Sequence, residues 1–399
     1  MVKDKEIERI TAVVRNNLDL SVQNREDEVR SLIAQTVYKE TKEGRFSLKD
    51  KEDLVKIIFD SIRKLDILQE LIEDESVSEI MVNGYDHIFV ERKGEMCEWN
   101  KQFKSKEKLD DVIQQIVASC NRVVNESEPI VDARLEAGER VNIVLSPPAV
   151  YGPIITIRRF PKDVFSMDNL IEMGSISPEG AAFLKKAVRA GYNIFVSGGT
   201  SSGKTTLLNI LSDFIPPKER VITIEDSAEL KIKSIDNLVR LETRNANSSG
   251  CEAITIKDLI KTALRMRPDR IIVGEVRGAE VADMLQAFNT GHEGSMSTGH
   301  ANSAADMLTR LEAMYLQNAE IPLEAIKKQI ASGIDIMVHL ERGRDKVRRV
   351  TEISEVTSND HKSVVLKTIF ELRNYEDGFR LVKTGELTNT SKMEKTYEI

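Results

Sequence analysis

Apolar positions fall into distinct regimes along the chain. Over the first 70 residues they recur at helical spacing: Ile7, Ile10, Val14 and Leu18 form one stripe, Val29, Leu32, Ile33 and Val37 a second, and Leu54, Ile58, Ile62 and Leu65 a third. Residues three and four apart share a helix face, so the pattern predicts three amphipathic helices. From about residue 75 the rhythm shortens to β segments, Glu79 to Val82 and His87 to Glu91, with Asn83-Gly84 and Lys93-Gly94 as turn signals. A helix follows, with Leu109, Val112, Ile113, Ile116, Val117 and Cys120 on one face. The stretch from Pro129 to Pro161 holds five of the ten prolines around strand-like pieces at Arg140 to Leu145 and Ile154 to Ile157. Proline has no N–H to give a ladder, so edge strands and irregular connections are expected, closing a small α+β domain.

Beyond about residue 166 helices and strands alternate. Helical stretches at Pro178 to Ala190, Lys204 to Ile215, Ile256 to Met266 and Glu280 to Phe288 precede the strands Asn193 to Ser197, Val221 to Glu225, Arg270 to Gly274 and Gly294 to Thr298 in an interleaved series. Such alternation predicts a mainly parallel sheet covered on both faces. The segments Ile336 to Leu340, Arg348 to Val356, Val364 to Glu371 and Phe379 to Val382 predict antiparallel strands that finish the domain.

Composition removes several function classes. Asp plus Glu outnumber Lys plus Arg by 65 to 57, a net charge of -8, which gives no chain-wide attraction to nucleic acid or anionic lipid. No apolar run approaches the ~18 residues a membrane helix needs, and the start MVKDKEIERI is charged where a signal peptide would be apolar, so a cytoplasmic protein with no membrane span is expected. The three cysteines, Cys97, Cys120 and Cys251, are too scattered for a disulfide framework or a CxxC metal knuckle.

The chemistry concentrates in one motif. Gly198-Gly199-Thr200-Ser201-Ser202-Gly203-Lys204-Thr205, followed by Thr206, satisfies GxxxxGK[ST] between the strand NIFVS and a helix. Glycines there let backbone N–H groups close around a phosphate, and the helix N-terminus adds partial positive charge. Lys204 is expected to reach the β- and γ-phosphates of a nucleoside triphosphate and the Thr205 hydroxyl to bind Mg²⁺. The next strand ends in Glu225-Asp226-Ser227-Ala228-Glu229, acids placed at the carboxyl edge where ligands of parallel sheets collect. Ile271-Ile272-Val273-Gly274-Glu275 has Walker B form, with Glu275 as metal ligand or base. Thr205, Glu225, Asp226 and Glu275 are thus the candidate Mg²⁺ donors, partly through water.

LRMRPDRIIVGEVRGAEVADMLQAFNTGHEGSMSTGHAN, from Leu264 to Asn302, resembles the Walker B and histidine-box region of the type II/type IV secretion and pilus ATPases, and ITIEDSAEL at Ile222 to Leu230 resembles their aspartate box. Upstream, EIMVNGYDHIFVERKG, VDARLEAGERVNIV and GPIITIRRF resemble the CpaF/TadA-type ATPases of Tad (Flp) pilus assembly, so the resemblance runs from about Leu71 to Val356. It implies an α/β fold with a RecA-like P-loop ATPase domain at 161–399, a small α+β N-terminal domain at 71–160 and a helical N-terminal region at 1–70. It further implies a homohexamer that hydrolyses ATP with Mg²⁺ and works at the inner membrane through a platform protein, without nucleic acid. Carried over residue by residue, Lys204 and Thr205 are the Walker A pair, and Glu225, Asp226 and Glu229 the aspartate-box acids. Glu275 is the Walker B acid, and His292 and His300 match the histidine box, where both are expected near the γ-phosphate. Glu229 and Glu275 are both candidates to activate water. Arg134, Arg140, Arg158 and Arg159 fall where the family carries arginines that approach the γ-phosphate, and Arg277 could act at a subunit boundary.

No cysteine follows Cys251, whereas type II secretion ATPases commonly carry a four-cysteine zinc module there; this favours the Tad pilus or type IV secretion branch. Two readings of other classes stay open: a RecA-like nucleic-acid translocating ATPase, which predicts a basic channel, and a nucleotide-gated scaffold without turnover.

Overall fold

A computed structural model of the chain describes residues 4–17, 26–42, 46–92, 94–120, 122–136, 138–159, 165–244, 246, 252–317, 321–359, 363–376 and 378–395. Leu18, Lys93, Phe160, Pro161 and Cys251, all used in the sequence reading, lie outside these residues. The chain forms two compact units, Met1–Lys162 and Asp163–Ile399.

The first unit opens with helices α1 (Asp4–Asn17), α2 (Glu26–Glu40) and α3 (Leu48–Arg63). Their stripes meet in one cluster, with Ile10, Val14, Val29, Ile33, Val37, Leu54 and Ile58 buried. Ser47 caps α3 in a capping box with Asp50, satisfying backbone donors that the helix start leaves over. After the short α4 (Leu68–Glu73) come β1 (Val77–Asn83), β2 (Ile88–Arg92), β3 (Glu95–Glu98), α5 (Lys106–Ser119), β4 (Ile130–Arg134), β5 (Arg140–Val144) and β6 (Ile154–Arg158). The strands pair antiparallel in the order β3-β2-β1-β6-β5-β4. One face packs on the apolar stripe of α5. The expectation of edge strands is corrected here: β5 and β6 lie inside the sheet. The prolines that suggested edges, 129, 147, 148 and 153, sit in the connections and leave the ladders their donors.

The second unit is built on a nine-stranded sheet. Its elements are α6 (Met167–Glu172), α7 (Pro178–Arg189), β7 (Ile194–Gly198), α8 (Lys204–Ser212), β8 (Arg220–Glu225), β9 (Asn237–Glu242), α9 (Ile256–Ala263), β10 (Arg270–Val273), α10 (Val281–Phe288), β11 (Met296–His300), α11 (Ala304–Leu316), α12 (Leu323–Gly333), β12 (Ile336–Arg342), β13 (Arg348–Asn359), β14 (Ser363–Tyr375), β15 (Gly378–Lys383) and α13 (Ser391–Lys395). The strand order is β15-β14-β13-β12-β7-β11-β10-β8-β9. From β12 to β9 neighbours run parallel, and β13 to β15 extend the sheet antiparallel. The second unit is therefore an α/β arrangement on a mainly parallel sheet, and the first unit combines helices with an antiparallel sheet.

Both faces of this sheet are covered, so its central strands read as unbroken apolar runs. Ile194, Val196, Val221, Ile272, Ile336 and Val338 face α7 and α8, while Phe195, Ile222, Ile224, Ile271, Val273 and Met337 face α9 to α12. Each such fully buried side chain contributes roughly 1.5–3 kcal/mol, which fixes the strands whose carboxyl ends carry the polar residues described next.

Candidate functional site

The carboxyl ends of β7, β8, β10 and β11 bring the candidate residues to one edge of the sheet. β7 ends at Gly198, where an added Cβ would come 2.4 Å from the Leu340 carbonyl oxygen and 2.6 Å from Ser202 Oγ. Only glycine lets β12 and the loop approach this closely. The loop turns through Ser201 at φ +58° and Gly203 at φ +99°, both left-handed. Such alternation points successive N–H groups toward one concavity. α7 and α11 start with serine caps, whereas Gly203, the residue before α8, makes no side-chain cap, so this helix start can face an anion.

Lys204 is 7% exposed and its ammonium is held within the loop's own neighbourhood. Nζ donates to the Gly199 carbonyl oxygen at 2.9 Å and lies 3.2 Å from His300 Nδ1. His300 Nε2 in turn lies 2.8 Å from Glu275 Oε1, an ion-pair distance at an angle too oblique for a good hydrogen bond. Lysine can only donate and a carboxylate only accept, so the neutral imidazole carries its proton on Nε2 and takes the lysine on Nδ1. Burial pushes the His300 pKa below its usual value, the Lys204, Arg277 and Arg310 charges push the same way, and Glu275 opposes them. Glu275 Oε2 accepts from Arg277 Nη2 at 2.8 Å and Nε at 3.1 Å, and Arg277 Nη1 stands 3.7 Å from Asp226 Oδ2. Asp226 Oδ1 accepts from Thr243 Oγ1 at 3.0 Å. One polar relay of neighbouring side chains therefore runs from the phosphate loop through Lys204, His300, Glu275 and Arg277 to Asp226, joined between His300 and Glu275 by proximity rather than by a hydrogen bond. Thr298 Oγ1, donating to the Gly274 carbonyl at 2.7 Å, ties β11 to the turn that presents Glu275.

Two expectations are corrected. His300 closes β11 beside the loop, but His292 precedes that strand, and parallel pairing of Met296 with Ile194 and of His300 with Gly198 puts the start of β11 at the opposite end. There His292 Nδ1 faces the Ala287 carbonyl at 3.0 Å. Glu225, expected among the metal donors, turns inward: it is 3% exposed, and Oε2 accepts from the amides of Glu229 and Leu230 at 2.7 and 2.9 Å. Burial pushes its pKa up, and its other oxygen, Oε1, is buried without a hydrogen-bond partner among the described residues. Glu229 follows half-buried, four residues on, in the loop this contact shapes.

The oxygen donors left at the edge are Thr205, Asp226 and Glu275. Among the described residues no three His, Cys, Asp or Glu side chains form a ready metal cage.

In the first unit, register aligns three of the candidate arginines. Arg134 pairs with Arg140 and Arg140 with Arg158, so they form one cross-strand row. They alternate with the buried Val141, Ile143, Ile155 and Ile157 and so occupy the face away from the core. Arg159 differs: its Nη1 donates to the carbonyls of Asp74 and Val77, which makes it a brace of the unit. One further residue went unread in the sequence. Arg348, at the start of β13, donates Nε to the Ser201 carbonyl oxygen at 3.0 Å. The basic run RGRDKVRR beside a strand end is the signal that could have drawn attention to it.

A family model described as Type II/IV secretion system protein matches residues 62–370. The type IV secretion system protein PtlH of Bordetella pertussis is 35% identical over 319 residues, covering 72% of this chain and 93% of its own. The conjugal transfer protein TrbB of Rhizobium radiobacter is 32% identical over 319 residues, covering 79% of this chain and 94% of its own. Among solved structures, the pilus retraction motor PilT with bound ADP superposes with a TM-score of 0.53 at 19% identity, over 84% of this chain and 88% of its own, which shows a shared fold.

Proposed function

The chain belongs to the Type II/IV secretion system protein family, and on that premise we propose that it is an ATPase motor that couples ATP hydrolysis to secretion or pilus assembly. The observation that carries this reading is the relay joining the phosphate-loop lysine, through His300, to the Walker B carboxylate. It links the group that would hold the transferred phosphoryl to the one that would orient water.

In this reading the loop amides and the start of α8 bind the β- and γ-phosphates, and Lys204 exchanges the Gly199 carbonyl for phosphate oxygen. Glu275 orients and deprotonates the attacking water, with Arg277 fixing its carboxylate. Glu229 is the second acid for this role. Mg²⁺, when bound through Thr205, Asp226 and Glu275, supplies charge neutralisation on the phosphates. The row Arg134, Arg140 and Arg158 offers planar cations for charge developing on the transferred phosphoryl. We place the active form as a homohexamer that reaches an inner-membrane platform protein. No helix among the described residues is long and apolar enough to cross a membrane. Within the family we assign the chain to the Tad pilus branch, supported by the upstream segments; the lack of any cysteine after Cys251 separates it from the type II secretion branch and is shared by the Tad pilus and type IV secretion readings.

The test is Glu275→Gln. It should keep nucleotide affinity within about threefold while lowering kcat by a hundredfold or more, the range for a lost general base. Unchanged turnover would move the base to Glu229; turnover stimulated strongly by single-stranded DNA would favour a nucleic-acid motor.

A further inference from the structure

The hairpin that joins β12 to β13 is fused to the phosphate loop at two points. Strand β12 runs parallel to β7 with Leu340 opposite Gly198, close enough that the Leu340 carbonyl excludes any side chain at that glycine. Arg348 touches two further residues of the loop: its Cδ would sit 3.6 Å from a Cβ on Gly203, and its Nε donates to the Ser201 carbonyl oxygen. Ser201 is the one non-glycine residue of this loop at positive φ, a strained conformation for serine that persists only where its surroundings over-determine it.

The orientation of that peptide matters for anion binding. A loop can present its N–H groups to a phosphate only if the intervening carbonyls point outward, because an inward carbonyl oxygen would repel the anion. We propose that Arg348 is a positioning residue for nucleotide binding, pinning the Ser201 carbonyl outward so that the loop holds its phosphate-receiving form before ligand arrives. Preorganisation of this kind raises affinity by removing an ordering cost from the binding step. The inference rests on the nucleotide-binding reading above and adds a residue far along the chain to that site. The hairpin also carries Arg342, Arg344, Lys346 and Arg349. A general effect of its positive charge is therefore the rival explanation, and the control must remove a charge without removing the brace.

The experiment measures ADP and ATP dissociation constants by calorimetry on the full chain for wild type, Arg348→Ala, Arg348→Lys and Arg344→Ala, with steady-state kcat and KM alongside. Arg348→Ala should raise both dissociation constants and KM about tenfold, equal to ~1.4 kcal/mol, with kcat at saturation within twofold and an unchanged unfolding midpoint. Arg348→Lys, whose ammonium still donates, should recover most of that loss, and Arg344→Ala, an exposed residue of the same hairpin, should stay within twofold. Equal weakening by Arg344→Ala and Arg348→Ala would overturn the brace in favour of hairpin charge. Unchanged affinity in Arg348→Ala would overturn it outright. A wild type that binds neither nucleotide would instead overturn the function on which the inference rests.

Discussion

His300 is the joint of the relay, and replacing it tests whether the relay matters to turnover. Its Nδ1 takes the Lys204 ammonium at 3.2 Å and its Nε2 meets Glu275 at 2.8 Å. A hydrogen bond to a charged group contributes about 1.5–3 kcal/mol, and the His300 side chain is 36% exposed, so the lower value applies. The oblique Glu275 contact adds little, so His300→Ala should lose ~1.5 kcal/mol of transition-state stabilisation, about tenfold in kcat. Steady-state Mg·ATP hydrolysis reads this directly. A kcat within twofold of wild type refutes the coupling, and a loss beyond about a thousandfold refutes the magnitude and makes the histidine the chemical base. Acidity supplies an independent arm. With the His300 pKa lowered in the folded protein, its stabilising contribution is complete above pH 6.5 and is lost as pH falls through the lowered value. Protonation at Nδ1 then repels Lys204, so wild type should lose activity as pH falls through that lowered value, and His300→Gln should lack that acid limb.

Other substitutions probe the scaffold. Gly198→Ala forces a Cβ to 2.4 Å from the Leu340 carbonyl and should cost about 1–3 kcal/mol in urea unfolding, whereas Gly199→Ala, with nothing within 4 Å, should cost under ~1 kcal/mol. Arg270 is 2% exposed and makes a forked pair with Glu219; Arg270→Ala should destabilise by about 3 kcal/mol, the low end for a broken buried pair because Glu219 is 28% exposed. Burial, with Glu73 adding repulsion, raises the Asp60 pKa to about 6, so its protonated form contributes stability that is full below pH 3.8 and lost as pH rises through 6. Asp60→Asn should therefore stabilise the first unit at pH 7 by roughly 1 kcal/mol once solvent screening is allowed for, and thermal melts at pH 4 and 7 should show the gain only at pH 7.

What could be read from the sequence was whatever follows from local pattern. The strand NIFVS, the glycines and the lysine are contiguous, so the loop between β7 and α8 was legible whole. The residue pattern starts β11 at Gly294, two residues before its observed start at Met296, because Gly294 at φ +80° still belongs to the turn. α11, α12 and β9 went unread, although the stripe Met307, Leu308, Leu311 and Met314 has helical spacing. Features made by register stayed hidden: four arginines looked equivalent, and only strand pairing sets Arg134, Arg140 and Arg158 in a row and turns Arg159 to backbone carbonyls. The two histidines separated for the same reason, since strand direction decides which end meets the loop. Arg348 stands 147 residues from Ser201, beyond the reach of any local pattern.

A site that turns over ATP in an assembled motor needs both its phosphate-loop lysine and its neighbouring subunits. The most direct measurement is Mg·ATP hydrolysis against protein concentration for wild type and Lys204→Ala, with and without single-stranded DNA. Specific activity should rise with concentration, vanish in Lys204→Ala and ignore DNA. Tight ATP binding with no turnover at any concentration, or activity that survives loss of Lys204, would contradict the motor reading.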